Sequence, residues 1–306
     1  MGFEIKYEGV VSSYHEEDEI TDIVIPKGIK LIAEGAFFFR KNITSVKIPY
    51  GVKQIGRVAF SNCESLKSVT LPKSLTYIGE EAFAYCKSLE SITIPDSVTN
   101  IERMTFFYCK NLKSITIPDS VTSIGIGAFD GTKWLEDYPD DFVIINKILV
   151  EYKGNDVNIN IPDSVDSVAK WALGECERLE TVSFKNIRLN LKDISESDTI
   201  IYDVLDMIGN EDFSVKMAHS VKYGILCDMY LADYSSEIFD AYFKKNFTKI
   251  FKFAIGKGNV ELVKKIVDNK KLLTKRNINN FIEYAHEKGQ SEIYGILTYY
   301  GKETAE

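Results

Sequence analysis

The stretch Leu66-Lys-Ser-Val69-Thr-Leu71-Pro72-Lys-Ser-Leu75-Thr-Tyr-Ile78-Gly79-Glu-Glu-Ala82-Phe83-Ala-Tyr85-Cys86 is one copy of a unit that the chain repeats. Proline recurs at positions 26, 49, 72, 95 and 118, always 23 residues apart. Other columns keep step with it. Eleven residues after each Pro stand Phe37, Phe60, Phe83, Phe106 and Phe129, and six after stand Ile32, Ile55, Ile78, Ile101 and Ile124. A strict period of this length means one supersecondary unit stacked on copies of itself. One coil cannot bury such side chains alone; neighbours can, and each column becomes a ladder in a continuous core.

Within a copy, Leu66, Val69 and Leu71 precede the proline, and the last two alternate with polar residues as a half-buried strand requires. Proline ends the strand because it cannot donate to the next ladder bond. Asp-Ser-Val turns follow at Asp96, Asp119 and Asp163, and Val98-Thr-Asn-Ile101 reads as a second short parallel strand. The segment Glu81–Cys86 reads as a single helical turn closing the coil, with small Ala36, Ala59, Ala82, Ala128 and Ala172 permitting close approach. The expected core is Ile55, Phe60, Cys63, Leu66, Val69, Leu71 and their 23-residue equivalents.

Strand, Pro, Val-x-x-Ile-Gly, Ala-Phe, then Cys at this period resembles the BspA-like leucine-rich repeats, over roughly residues 23–187. The resemblance implies a right-handed solenoid with parallel strands, an α/β architecture. A further copy, Pro162 to Val182, follows an offset of 44 residues rather than two full periods. The intervening Phe142–Tyr152 echoes Phe3–Tyr14, and both read as strand pairs. The first is expected to start the array as an N-terminal cap (residues 1–22), ahead of a solenoid over 23–190; the second is a variant coil within it.

The repeat stops near Phe184, and residues 191–306 read as an all-α region. Asp193, Glu196 and Asp198 suit the start of a helix over Thr199–Ile208, where acidic groups meet the positive helix end. Ala254-x-x-x-Gly258-Asn-Val-Glu-Leu262 is echoed 31 residues later by Ala285-x-x-x-Gly289-Gln-Ser-Glu-Ile293. Glycine permits a left-handed cap there, so that the next helix starts at once. These pairs, over about residues 247–300, resemble the paired helices of ankyrin repeats, although the Thr-Pro-Leu-His turn is absent.

The net charge of −8 argues against nucleic acid as a partner of the whole surface. Charge is uneven: 13 basic and 7 acidic residues fall in 241–306, against 3 and 11 in 191–240, so the basic end is expected to complement the acidic stretch. No run of 18 apolar residues suggests a membrane span, and no signal-like segment opens the chain. A cytoplasmic location is expected if the chain is full length, and a secreted or cell-surface one if an N-terminal signal was removed. The cysteines Cys63, Cys86, Cys109 and Cys176 share one column, and Cys227 lies apart. Parallel side-chain vectors disfavour disulfides between neighbours, so buried free thiols are expected. The three His are scattered and no C-x-x-C pair occurs, so no metal or cofactor is expected. G-x-S-x-G, a phosphate-binding loop and H-E-x-x-H are absent, which points away from an enzyme.

Two surfaces are candidates for binding. Phe38, Phe39, Tyr85, Phe107 and Tyr108 gather at the turns, outside the apolar columns. Phe39, Tyr85 and Tyr108 share a column in which other copies carry Asn62, Gly131 and Glu175. A position that accepts those residues is not core, so its aromatics are expected to be partly exposed. On the outer face of the strands, Ser68, Ser91 and Ser114 form one column and Thr70, Thr93 and Thr116 the next. Lys67, Glu90 and Lys113 alternate in sign and read as weak cross-strand pairs. The expected function is non-enzymatic: macromolecule binding or scaffolding, with a protein as partner. The alternative, which the family resemblance implies for some relatives, is a secreted adhesin that binds host matrix proteins or glycans.

Overall fold

The structure, a computed structural model, describes residues 2–6, 9–14, 21–174, 176, 178–191 and 200–303. It divides into two compact units, residues 1–155 with 164–177, and residues 156–163 with 178–306. The first is a parallel-strand solenoid. Each coil contributes a three-residue strand before its proline: β3 (Asp22–Val24), β5 (Ser45–Lys47), β7 (Ser68–Thr70), β9 (Ser91–Thr93) and β11 (Ser114–Thr116). These five form one sheet. Two-residue strands that begin nine residues later, β4 (Leu31–Ile32), β6 (Gln54–Ile55), β8 (Tyr77–Ile78), β10 (Asn100–Ile101) and β12 (Ser123–Ile124), build the opposite face. Pairing partners are equivalent residues of successive copies, Ser45 with Ser68 and Ile32 with Ile55, so the sequence period is the strand register.

The core is the set of ladders that the period demands. Phe37, Phe60, Phe83, Phe106 and Phe129 are fully buried and stack with ring centroids 4.8, 5.3, 5.8 and 6.0 Å apart. The thiols of Cys63, Cys86 and Cys109 are buried and free; they donate to the carbonyls of Phe37, Phe60 and Phe83 at 3.2, 3.2 and 3.1 Å. Burial, then the neighbouring Cys109 and Cys63, holds the Cys86 thiol well above its ordinary pKa. Ser74, Ser97 and Ser120, of the turn after each proline, donate to carbonyls of the preceding coil at 2.8, 2.6 and 2.9 Å. Ile55, Phe60, Cys63 and Leu66 are core as expected, but Val69, Leu71, Ile115 and Ile117 are only half-buried, unlike Ile92 and Ile94.

The cause is visible for Val69 and Leu71. Gly56, Gly79 and Gly125 end the second short strand of their coils, and a Cβ there would stand 2.5, 2.7 and 2.4 Å from the backbone nitrogens of Glu34, Arg57 and Arg103. Real Cβ atoms do not approach so closely, so glycine sets the spacing of adjacent coils. In the fourth coil this position is Glu102. There the short-strand face breaks into separate sheets, β4-β6-β8 and β10-β12. On the other face the register joins β7 to β9 only through Ser68 and Ser91. Glu102 therefore acts as a wedge, and the strand on its N-terminal side loses cover. Ile115 and Ile117 belong to the edge strand β11.

The chain opens with an antiparallel hairpin, β1 (Phe3–Lys6) and β2 (Val10–Tyr14). After α1 (Lys133–Glu136), a second hairpin, β13 (Phe142–Ile145) and β14 (Ile148–Tyr152), repeats it. Phe3 pairs with Tyr14 and Phe142 with Tyr152, and both hairpins carry an irregularity after their second pair. Each then pairs in parallel with a short strand, β2 with β4 and β14 with β16 (Ser167–Val168). The echo read in the sequence is thus a shared register.

In the second unit, β15 (Asn158–Asn160) pairs in parallel with β17 (Thr181–Phe184), which turns back antiparallel into β18 (Ile187–Asn190). Helices α2 (Ile200–Gly209), α3 (His219–Leu231), α4 (Glu237–Gly256), α5 (Val260–Asn269), α6 (Ile278–Glu287) and α7 (Ser291–Glu303) follow. Phe239, Phe243, Phe247 and Phe251 lie four apart on α4, so they share one face and are buried together with Phe281 of α6. Gly258 and Gly289 are left-handed (φ 71° and 68°) at the ends of α4 and α6, as the two sequence echoes require. Lys222 is buried and donates to the carbonyls of Phe213 and Val215; burial lowers its pKa. The expected acidic helix cap at Asp193–Asp198 lies outside the described residues. Lys265 pairs with Asp233 at 2.6 Å and Lys264 with Glu292 at 3.1 Å.

Candidate binding surface

The turns that close each coil are not helical. Glu81–Cys86 was expected to make one helical turn, but Glu81 and Tyr85 sit in the left-handed region, with φ of 54° and 60°. The same two columns are left-handed in every regular copy: Gly35, Val58, Glu81, Met104 and Gly127 in one, Phe39, Asn62, Tyr85, Tyr108 and Gly131 in the other. With left-handed residues four apart, every second N–H of the turn bonds to the next coil. Val58, Phe60 and Asn62 donate to Glu80, Ala82 and Ala84 at 3.0, 2.8 and 2.8 Å, and Glu81, Phe83 and Tyr85 donate to Arg103, Thr105 and Phe107 at 3.0, 2.9 and 2.7 Å. Asn and Gly are therefore favoured in the aromatic column by backbone conformation as well as exposure. A bulky side chain held at positive φ is costly, of order 1 kcal/mol or more, and such strain gathers at functional positions.

The five turn aromatics form two groups. Phe38 and Phe39 are 43% and 48% exposed, with ring centroids 5.0 Å apart. Tyr85, Phe107 and Tyr108 contact one another with centroids 4.8 to 5.7 Å apart. Tyr108 is 40% exposed, while Tyr85 and Phe107 are half-buried. Between the groups the coil carries buried Ser61 and half-buried Asn62, whose amide donates to the Ser61 hydroxyl at 3.1 Å, so the strip is interrupted. Lys41 lies over Phe39 and Lys110 over Tyr108, at 5.1 and 5.2 Å from the ring centres.

The second group borders a cleft of about 740 Å³, lined by Phe107, Tyr108, the Gly125–Gly131 turn, Val150–Lys153 and Ala169–Ala172. The cleft lies where the period is lost: the offset coil does not stack on the turn of its predecessor. Trp171, 47% exposed, forms part of its wall. Trp171, counted from Pro162, occupies the same left-handed position as Glu81, with φ of 70°; the regular copies of that column carry Gly35, Val58, Met104 and Gly127, so no run of aromatics marks it in the sequence. Tyr108 reaches the cleft because the next residue in its column is Gly131, where a Cβ would stand 2.9 Å from the Tyr108 ring. Glu175 lies outside the described residues.

On the strand face, Ser68, Thr70, Ser91, Thr93, Ser114 and Thr116 are exposed and stand in columns. Among the described residues, Lys67, Glu90 and Lys113 form no ion pair; the columns instead join through backbone bonds, Glu90 to Lys67 and Lys113 to Glu90. Ion pairs form elsewhere, Glu64 with Lys41 and Lys87 at 3.2 and 3.4 Å, and Glu34 with Arg57 at 2.6 Å. Among the described residues no group of three His, Cys, Asp or Glu is placed to hold a metal, and no helix is long and apolar enough to cross a membrane.

A search of curated proteins found no match. Among solved structures, the chain is similar to a leucine-rich repeat protein of T. pallidum, at 25% identity over 59% of this chain and 78% of that one, with a TM-score of 0.43. It is similar to one from Bacteroides capillosus, at 39% identity over 31% of this chain and 78% of that one (TM-score 0.29). A third is a leucine-rich cell surface protein of Faecalibacterium prausnitzii, at 27% identity over 61% of this chain and 56% of that one (TM-score 0.39). The family described as BspA type leucine-rich repeat region matches residues 11–136 and 137–198 in six copies. With more than half of the chain matched, and with the stacked coils and phenylalanine ladder that the repeat encodes, this protein belongs to the BspA-type leucine-rich repeat family.

Proposed function

We propose that the protein is a non-catalytic binding protein that recognises another protein through the aromatic turn edge of its solenoid. The observation that carries the reading is the combination of exposed rings with left-handed backbone at Phe39, Tyr108 and Trp171. Those rings are held in strained positions where Gly or Asn would cost less, and aromatic residues are enriched at interface centres. Stacked repeats build an extended surface suited to macromolecular partners. The working domain limits are residues 1–22, 23–190 and 191–306, with the helical pairs as a second interaction element. The strand-face hydroxyls, regular but polar and solvated, are the favoured surface if the partner is a glycan. Location on a cell surface is part of the adhesin alternative, and the F. prausnitzii relative is described as a cell surface protein.

The test is affinity capture from cell lysate and from extracellular matrix, with mass spectrometry, using the full chain and a Tyr85→Ala/Tyr108→Ala variant. Each ring at an interface centre contributes upward of ~2 kcal/mol, so the double variant is expected to weaken partner binding at least about tenfold. Undiminished capture would move the site to the Ser/Thr face, and a collapse in melting temperature would make the rings structural.

A further inference from the structure

In the regular coils, three N–H groups of every closing turn are consumed by the coil that follows. Gly35, Phe37 and Phe39 donate to Arg57, Ala59 and Ser61; Met104, Phe106 and Tyr108 donate to Ile126, Ala128 and Asp130 at 2.9, 2.8 and 2.7 Å. The pattern ends at the Gly127–Gly131 turn. Its carbonyls at 126, 128 and 130 accept from the coil before, but the N–H groups of Gly127, Phe129 and Gly131 have no acceptor among the described residues. Gly127 and Gly131 keep the left-handed conformation, φ 63° and 69°, that aims these groups in the preceding coils. All three residues line the cleft beside Tyr108 and Trp171. The cleft wall is therefore a row of parallel amide donors at alternate residues, an open ladder edge.

We infer that this edge binds an extended main-chain segment of a protein partner, which supplies carbonyl oxygens at three alternate residues in place of the missing coil. The inference rests on the aromatic-edge reading above and names the partner's contacting chemistry. Four junctions in the same solenoid show what these donors take: backbone carbonyls two residues apart, at 2.7 to 3.0 Å. A small anion spans fewer donors. The cleft also holds Asp130, Glu136 and Glu151 against Lys153 and Lys170, so its charge does not favour an anion over a neutral carbonyl. The rings of Tyr108 and Trp171, which line the same cleft, offer the segment's side chains apolar contacts. Strand-like addition of this kind draws affinity from main-chain bonds and specificity from flanking side chains.

The probe is a synthetic peptide with the sequence of residues 79–85, which carries the carbonyls of Glu80, Ala82 and Ala84 that serve as acceptors within the solenoid. Amide hydrogen exchange is read by NMR on the full chain. Without peptide, Gly127, Phe129 and Gly131 are expected to exchange on the order of 100-fold faster than Val58, Phe60 and Asn62. At about 5 mM peptide they slow roughly sixfold, as mass action gives for a Kd near 1 mM. An analogue with CH2 in place of those three carbonyls produces no slowing. Equal protection of the two sets in the free chain overturns the inference, as does no slowing with peptide, or equal slowing with the analogue. Slowing by sodium acetate alone assigns the edge to an anion, and slowing with protein concentration alone assigns it to a second copy; either result also overturns it. If the Tyr85→Ala/Tyr108→Ala variant loses its captured partner while the edge amides of the native complex still exchange fast, the aromatic reading stands and only this one falls.

Discussion

Replacing Glu102 with glycine should close the junction at which the regular coils part. On either side of it the coils are joined by the same set of bonds. Gly79 donates to Ile55 at 2.9 Å and Gly125 to Ile101 at 2.8 Å; Thr76 donates to Lys53 and Thr122 to Thr99, both at 2.9 Å; Ile48 donates to Thr70 at 3.1 Å and Ile94 to Thr116 at 2.9 Å. The equivalents at the intermediate junction, from Glu102, Thr99 and Leu71, are not formed. A net hydrogen bond contributes about 0.5–1.5 kcal/mol, so three restore about 3 kcal/mol. Glycine's greater loss of backbone freedom opposes this by about 1 kcal/mol. The gain is about 2 kcal/mol, which for a unit of this size raises the melting temperature by roughly 4–8 °C. Scanning calorimetry measures the shift, and amide exchange at Leu71, Thr99 and position 102 should slow in parallel. The reverse change, Gly79→Glu, would place a Cβ 2.7 Å from the Arg57 nitrogen and should lower the melting temperature by at least as much. If Glu102→Gly leaves both the melting temperature and these amides unchanged, the glycine column does not set the coil spacing and the wedge argument is wrong.

Three further outcomes are expected. Phe83→Ala, in the middle of the ring ladder, should cost about 3–5 kcal/mol, read by denaturant unfolding; a loss under 1 kcal/mol would mean the ladder does not carry the core. The thiols of Cys63, Cys86, Cys109 and Cys227 should resist a disulfide reagent at pH 8 in the native chain and react on unfolding, since all four are buried; fast native labelling would contradict the packing. Burial pushes the Cys227 pKa from 9.0 up to about 12, so the unfolded thiol ionises first: stability relative to a Cys227→Ala variant is full below about pH 9 and falls as pH rises from there toward 12. A difference between the two chains that is flat across that window would refute the assignment.

The repeat was legible from the residues alone because a stacked coil has nowhere else to bury Phe83 or Ile78 than against their own copies. Period therefore equals register, and the ladders of Phe37 to Phe129 follow from counting. The hairpin echo of residues 3–14 in 142–152 and the glycine ends of α4 and α6 were legible for the same reason: each is a local conformation with a side-chain signature. Half of the candidate surface was visible too, since a column that tolerates Asn and Gly cannot be core.

What the sequence could not convey is how adjacent coils meet when one residue changes. Glu102 stands where Gly56, Gly79 and Gly125 stand in their coils, yet whether a side chain fits there depends on a backbone nitrogen 22 residues away. The sequence points to helix at the left-handed turns because Glu81, Ala82 and Ala84 are good helix formers, and bonding to the next coil overrides that preference. The cleft at Gly127–Gly131 arises from a two-residue offset whose consequence, three donors without a following coil, exists only once the turns are stacked. Period thus determined that residues 23–187 form a solenoid; the close approach of backbones decided where its regular coils part and where its turn donors are left without a following coil.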